Sequence, residues 1–187
     1  MTTPFITQTA DCILSATANH SADVLNIHYE LVNTTIAPIY LFNKLAKKGG
    51  RSVFEIDPNT VNVVLQSNGV VVGKALVPVP NNREVERQYV PCLSRVEPGE
   101  KVVEHLVLSS PISPFTWYEG RLFKSNPQSC PLTFELGYAL ASEQVDSLIE
   151  LLDTPYGHLY AANWYPLDLQ KIIATDLSIE TLVFLTR

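Results

Sequence analysis

The chain has 187 residues, 46% apolar and 17% charged, a balance that supports a folded core and excludes a largely disordered protein. A net charge of −6 and a pI near 5.2 exclude the basic footprint that nucleic-acid phosphates demand. No stretch approaches the roughly 18 apolar residues of a membrane-spanning helix.

This length is large for one small sandwich and short for two ordinary domains. A single domain over 1–187 is expected, with 140–187 as a C-terminal elaboration. Met1 to Asp11 has neither a basic n-region nor an apolar h-region, so the chain reads as cytoplasmic. Cys12, Cys92 and Cys130 are too few and too scattered for a disulfide framework.

The elements in chain order are mostly strands. Cys12 to Ala18 places Cys12, Leu14 and Ala16 on one side, and Asn19 to Asp23 is turn chemistry. Val24 to Asn33 is the clearest strand, with Leu25, Ile27, Tyr29 and Leu31 alternating against Asn26, His28, Glu30 and Val32. The chain bends at Asn33 to Pro38 and resumes as a strand over Ile39 to Phe42.

Asn43 to Arg51 is a basic loop with room for one helical turn, and a short strand is expected at Val53 to Ile56. Val61 to Gln66 and Val71 to Leu76 flank Asn68-Gly69, a strong hairpin signal. A two-residue turn at Asn68-Gly69 pairs Leu65 with Val72, Val63 with Lys74 and Val61 with Leu76.

Strands are also expected at Ser94 to Val96, Lys101 to Leu108, Leu132 to Leu140, Lys171 to Ala174 and Ile179 to Leu185. Glu97-Pro98-Gly99-Glu100 is a turn. The exception to the β pattern is Ser142 to Asp153. There Val145, Leu148, Ile149 and Leu152 form a helical stripe behind an N-capping Ser142. A strand at Ser147 to Leu152 is the competing reading.

The fold class is therefore all-β: an immunoglobulin-like antiparallel β-sandwich with one short helix near the C-terminus. The bend at Asn33-Thr34-Thr35 before Pro38-Ile39, and Glu97-Pro98-Gly99-Glu100 ahead of an alternating strand, carry a resemblance. The chain resembles intracellular bacterial immunoglobulin-like modules of the Bacillus proteinase-inhibitor type. The resemblance implies a fold and transfers no functional residue.

Candidate sites are few. Cys92 and Cys130 are conceivable nucleophiles and His28, His105 and His158 conceivable bases, but their spacing matches no catalytic arrangement. There is no Cys-x-x-Cys and no His-x-x-x-His, so no metal and no cofactor are expected. His28 and His105 could meet across a sheet, each facing solvent. Asn19-His20-Ser21 and Asn33-Thr34-Thr35 match the glycosylation sequon. Lys44, Lys47, Lys48 and Arg51 around Gly49-Gly50 could cradle an anion or simply be solvated.

Charge is uneven. Nine of the 13 Lys and Arg lie between Lys44 and Lys101, and none lies from Ser125 to Gln170, where Glu135, Glu143, Asp146, Glu150, Asp153 and Asp168 are acidic. Within that stretch Tyr156, His158, Tyr160, Trp164 and Tyr165 crowd a segment bracketed by Pro155 and Pro166. Such rings either form a recognition surface or close an open end of the core. The functional expectation is a non-enzymatic protein-binding or assembly module, by a partner or by self-association. A small-molecule or carbohydrate binder is the alternative, and a hydrolase with an unrecognised site ranks third.

Overall fold

Period-2 alternation of apolar side chains dictates two sheets with their apolar faces turned together. The computed structural model describes residues 3–21, 23–118 and 126–184. Its strands are β1 (Phe5–Gln8), β2 (Cys12–Ser21), β3 (Val24–Asn33), β4 (Ile39–Lys44), β5 (Asn62–Gln66), β6 (Gly69–Lys74), β7 (Cys92–Val96), β8 (Lys101–Ser109), β9 (Pro127–Leu140), β10 (Glu150–Thr154), β11 (Gly157–Ala161) and β12 (Lys171–Phe184). One short helix, α1 (Glu143–Asp146), lies between β9 and β10. The protein is all-β, with two sheets.

A four-stranded sheet runs β1-β2-β3-β8, and an eight-stranded sheet runs β10-β11-β7-β4-β9-β6-β5 with β12 added beside β9. Between them lies the main core. Leu14, Leu25, Ile27, Tyr29, Leu31 and Leu106 of the small sheet meet Ile39, Leu41, Val63, Val72, Phe134 and Leu136 of the large one. Tyr29 and Phe134 touch across the layers with ring centroids 4.9 Å apart. Asp11, ahead of β2, joins the layers at one end. It accepts from Tyr138 Oη at 2.9 Å and from Lys171 Nζ at 2.7 Å.

The large sheet also has an apolar outer face. Tyr40, Phe42, Leu93 and Ala139 are covered by Val145, Ile149 and Tyr165, a second core outside the sandwich. β4 is consequently buried on both faces, which is why Ile39 to Phe42 is a continuous apolar run rather than an alternating one.

The bend after β3 is fixed by one side chain. Asn33 is fully buried. Its Nδ2 donates to the Ala37 carbonyl at 2.9 Å and to Val96 at 3.0 Å, while Oδ1 accepts from the Thr35 N–H and hydroxyl, each at 2.9 Å. The amide has no capacity or access left for a glycan, so this sequon is structural. The Asn33 backbone also bonds to Gly99 and Glu100, so the two segments that carry the family resemblance sit against one another.

Several sequence expectations are corrected. The pairing of β6 with β9 is parallel, so the sandwich is not wholly antiparallel. β1 was not foreseen. β2 extends through Asn19 and His20 to Ser21, narrowing the expected turn, and Ala22 lies outside the described residues. No helical turn forms in Asn43 to Arg51. Val53 to Ile56 is not a strand but makes one bridge, Ala46 with Ile56, because Ser52 Oγ captures the Phe54 N–H and turns the backbone.

The helix expected over Ser142 to Asp153 is one turn long. Ser142 does cap it, accepting from the Val145 N–H at 3.2 Å, but Ser147 Oγ bonds back to Gln144 O and the chain then enters β10. The two closing strands are one, β12. Its register shifts between Asp176 and Glu180, where Ser178 takes φ +49°. Leu185 lies outside the described residues.

The β5–β6 hairpin exists in a register two residues from the expected one. Leu65 faces Val70 and Val63 faces Val72, leaving Ser67-Asn68 as the turn. The slip of two preserves every face. Gly69 belongs to the strand, has φ +153°, and a Cβ there would sit 2.5 Å from the Pro131 carbonyl oxygen on β9. Gly69→Val should therefore lower stability by about 1–3 kcal/mol, the usual range for forced overpacking. Chemical denaturation that left the midpoint unchanged would contradict this close approach.

Candidate functional site

The five ring-bearing residues of the 154–166 segment do not form one surface. The segment is not a plain loop: β10 and β11 pair from Glu150↔Ala161 to Thr154↔Gly157, turning at Pro155-Tyr156. Tyr156 stands at the tip, 51% exposed. His158 is exposed, its Nδ1 3.7 Å from Asp153 Oδ1. Tyr160 is half-buried and meets Tyr40 edge-on, centroids 5.8 Å apart.

The next two residues point in opposite directions. Trp164 is 58% exposed, whereas Tyr165 is wholly buried against Phe42, at 5.0 Å between centroids. Of these adjacent side chains, Tyr165 covers the core and Trp164 is left facing solvent. Two glutamines set this arrangement. Gln88 accepts from the Tyr165 N–H at 2.8 Å and donates to its carbonyl at 3.1 Å. Gln170 does the same to Leu76, at 2.7 and 3.1 Å. Each side-chain amide pairs with a backbone peptide as a neighbouring strand would.

Beside Trp164 lies a cavity of about 420 Å³. Phe54, Tyr89, Leu148 and Leu152 form part of its wall, and Arg87 and Glu150 supply opposite charges. Arg87 is hydrogen-bonded to Asn163 at the rim. Cys92 also lines the cavity. Burial pushes its thiol up to about 11, so it is a protonated wall residue and not an activated nucleophile. The cavity draws on segments far apart in sequence, and of the candidate site residues it brings together only Trp164 and Cys92.

A second arrangement was not foreseen. Glu104, on β8, accepts hydrogen bonds from Tyr29 Oη at 2.6 Å, Asn43 Nδ2 at 2.7 Å and Lys74 Nζ at 2.6 Å. The Lys74 side chain is 1% exposed and that of Glu104 20%. Burial holds the Lys74 ammonium below the usual lysine value, and the Glu104 charge opposes that shift. The signal for this clasp was a lysine inside the apolar run Val70 to Val77, a place where an ammonium needs a partner.

The basic loop is partly committed to its own protein. Lys47 pairs with Glu55 at 3.3 Å, and Lys48 Nζ lies 3.6 Å from the Phe115 ring centre. Among the described residues no group of three or more His, Cys, Asp or Glu side chains is placed to hold a metal ion, and no helix is long and apolar enough to cross a membrane. No protein-family model, curated protein or solved structure matches this chain.

Proposed function

We propose that this chain is a non-enzymatic protein-binding module, an immunoglobulin-like β-sandwich that takes an extended segment of its partner along β10. The observation that supports this most directly is a free strand edge beside an aromatic-rimmed cavity. Among the described residues β10 ends the large sheet, with β11 on one side only. Its other row of peptide groups is available to an added strand. Backbone bonds would then give affinity, and alternate side chains would give specificity.

The cavity wall includes Glu150, Leu152 and Ala161 from one face of this hairpin. Leu151, 57% exposed, lies on the other face, and Trp164 stands at the rim. Aromatic anchors such as Trp carry a large share of the binding energy at protein interfaces. The two-layer core and the antiparallel order β1-β2-β3-β8 support the immunoglobulin-like type. Three unpaired cysteines suit a reducing, cytoplasmic setting.

Selection from a random linear peptide library tests the reading. Selected peptides should bind Trp164→Ala at least about 30-fold more weakly, the loss of a roughly 2 kcal/mol anchor. Leu152→Lys, which puts a charge on the cavity wall, should also weaken them. Binders indifferent to both changes would place recognition elsewhere and sink the proposal. The cavity volume favours a second reading, a small-molecule site, since about 300–1,000 Å³ is usual for such pockets. A fragment that binds there without affecting peptide binding would favour it.

A further inference from the structure

The outer face of the four-stranded sheet holds a feature unrelated to β10. β3 and β8 pair without a register break from Val24↔Ser109 to Val32↔Lys101, and at the centre of that ladder His28 stands directly opposite His105. Both side chains are exposed. Their ring centroids are 6.4 Å apart at an interplanar angle of 60°. We infer that His28 and His105 form a two-imidazole chelate for a divalent transition metal.

The geometry is close to what a metal requires. Metal–nitrogen bonds of about 2.0–2.1 Å in tetrahedral arrangement put two ring centroids on the order of 5 Å apart. Closing the present gap takes a small rotation of two exposed side chains, which occurs in picoseconds to nanoseconds. The backbone need not move, since directly opposed residues of an antiparallel pair already hold their Cβ atoms about 4.5–5.5 Å apart.

The surroundings decide which metal. Thr17 faces His28 from β2. The same-face neighbours two residues along are Asn26 and Glu30 on β3, and Val103 and Val107 on β8. Glu30 is held by Lys101 at 2.8 Å. The pair therefore offers nitrogen ligands and lacks the oxygen cage that magnesium or calcium needs. Cu²⁺, Ni²⁺ and Zn²⁺ suit it, with water completing the coordination. The other two histidines stand apart. His20 Nε2 lies 3.1 Å from the Glu180 carbonyl, and His158 is beside Asp153.

Calorimetric titration of the whole chain with Ni²⁺ and Zn²⁺ tests the inference, with Mg²⁺ as control. One site per chain is expected for Ni²⁺ and Zn²⁺ and none for Mg²⁺. His28→Ala and His105→Ala should each abolish the site, while His20→Ala and His158→Ala leave it intact. The metal should raise the melting temperature of the wild type and of neither His28 nor His105 variant. Melting of the metal-free variants at the wild-type temperature separates lost ligation from lost fold. Absence of saturable Ni²⁺ and Zn²⁺ binding overturns the inference, as does binding that survives either substitution.

Discussion

Glu104→Ala is expected to be the most damaging single polar substitution. It strands the Lys74 ammonium, 1% exposed, without its 2.6 Å partner, and removes the acceptor for Tyr29 and Asn43. Breaking a buried ion pair from one side costs about 3–5 kcal/mol. For a chain of this size that is a fall in melting temperature on the order of 10 °C. Lys74→Met should cost less. The Glu104 carboxylate then keeps two donors and partial access to water, whereas the stranded ammonium has lost its carboxylate acceptor and is shut off from water. Thermal melts of the two variants check the order, and equal losses would mean that the clasp is not asymmetric in the way its burial implies.

Tyr165 and Trp164 should respond oppositely to truncation. Tyr165→Ala empties a fully buried site against Phe42 and should cost about 3–5 kcal/mol. Trp164→Ala removes a side chain that is 58% exposed and should move the melting temperature little. Tyr165→Phe sharpens the test. The Tyr165 hydroxyl is buried without a hydrogen-bond partner, so deleting it should be neutral or stabilising. A large loss in Tyr165→Phe would show that the hydroxyl is satisfied after all. A large loss in Trp164→Ala would make Trp164 a core residue and remove the anchor of the proposed interface.

The legible parts of this fold were the ones governed by local pattern. Val24 to Asn33 has the bounds of β3, because alternation against one buried face is a property of consecutive residues. What failed depended on distant neighbours. The hairpin register slipped because Gly69 is required by the closeness of Pro131, not by a turn. The helical stripe at Val145 to Leu152 was real in burial but yielded to strand pairing after one turn, since β11 offers β10 a ladder that no sequence window contains. Trp164 was legible as a candidate and Tyr165 was not distinguishable from it. Their opposite fates rest on Gln88, 77 positions from Tyr165. The Glu104 clasp spans four strands, β3, β4, β6 and β8, and escaped pattern reading for the same reason.

The two kinds of attachment in this molecule differ in what can undo them. Beyond the apolar core, the layers of the sandwich are joined at one end by ionisable groups. At Asp11, the hydrogen bond from Lys171 holds the carboxyl below its usual value despite some burial, with Tyr138 helping. That contribution is present above the unfolded carboxyl value and is lost as pH falls through the lower folded one. The segment bearing Trp164 is fastened through Gln88 and Gln170, whose amides take up no proton in this range. Acidification therefore weakens the Asp11 junction before it touches the amide mounting of the Trp164 segment. The display of Trp164 is buffered against acidity by neutral chemistry, while the scaffold beneath it is not.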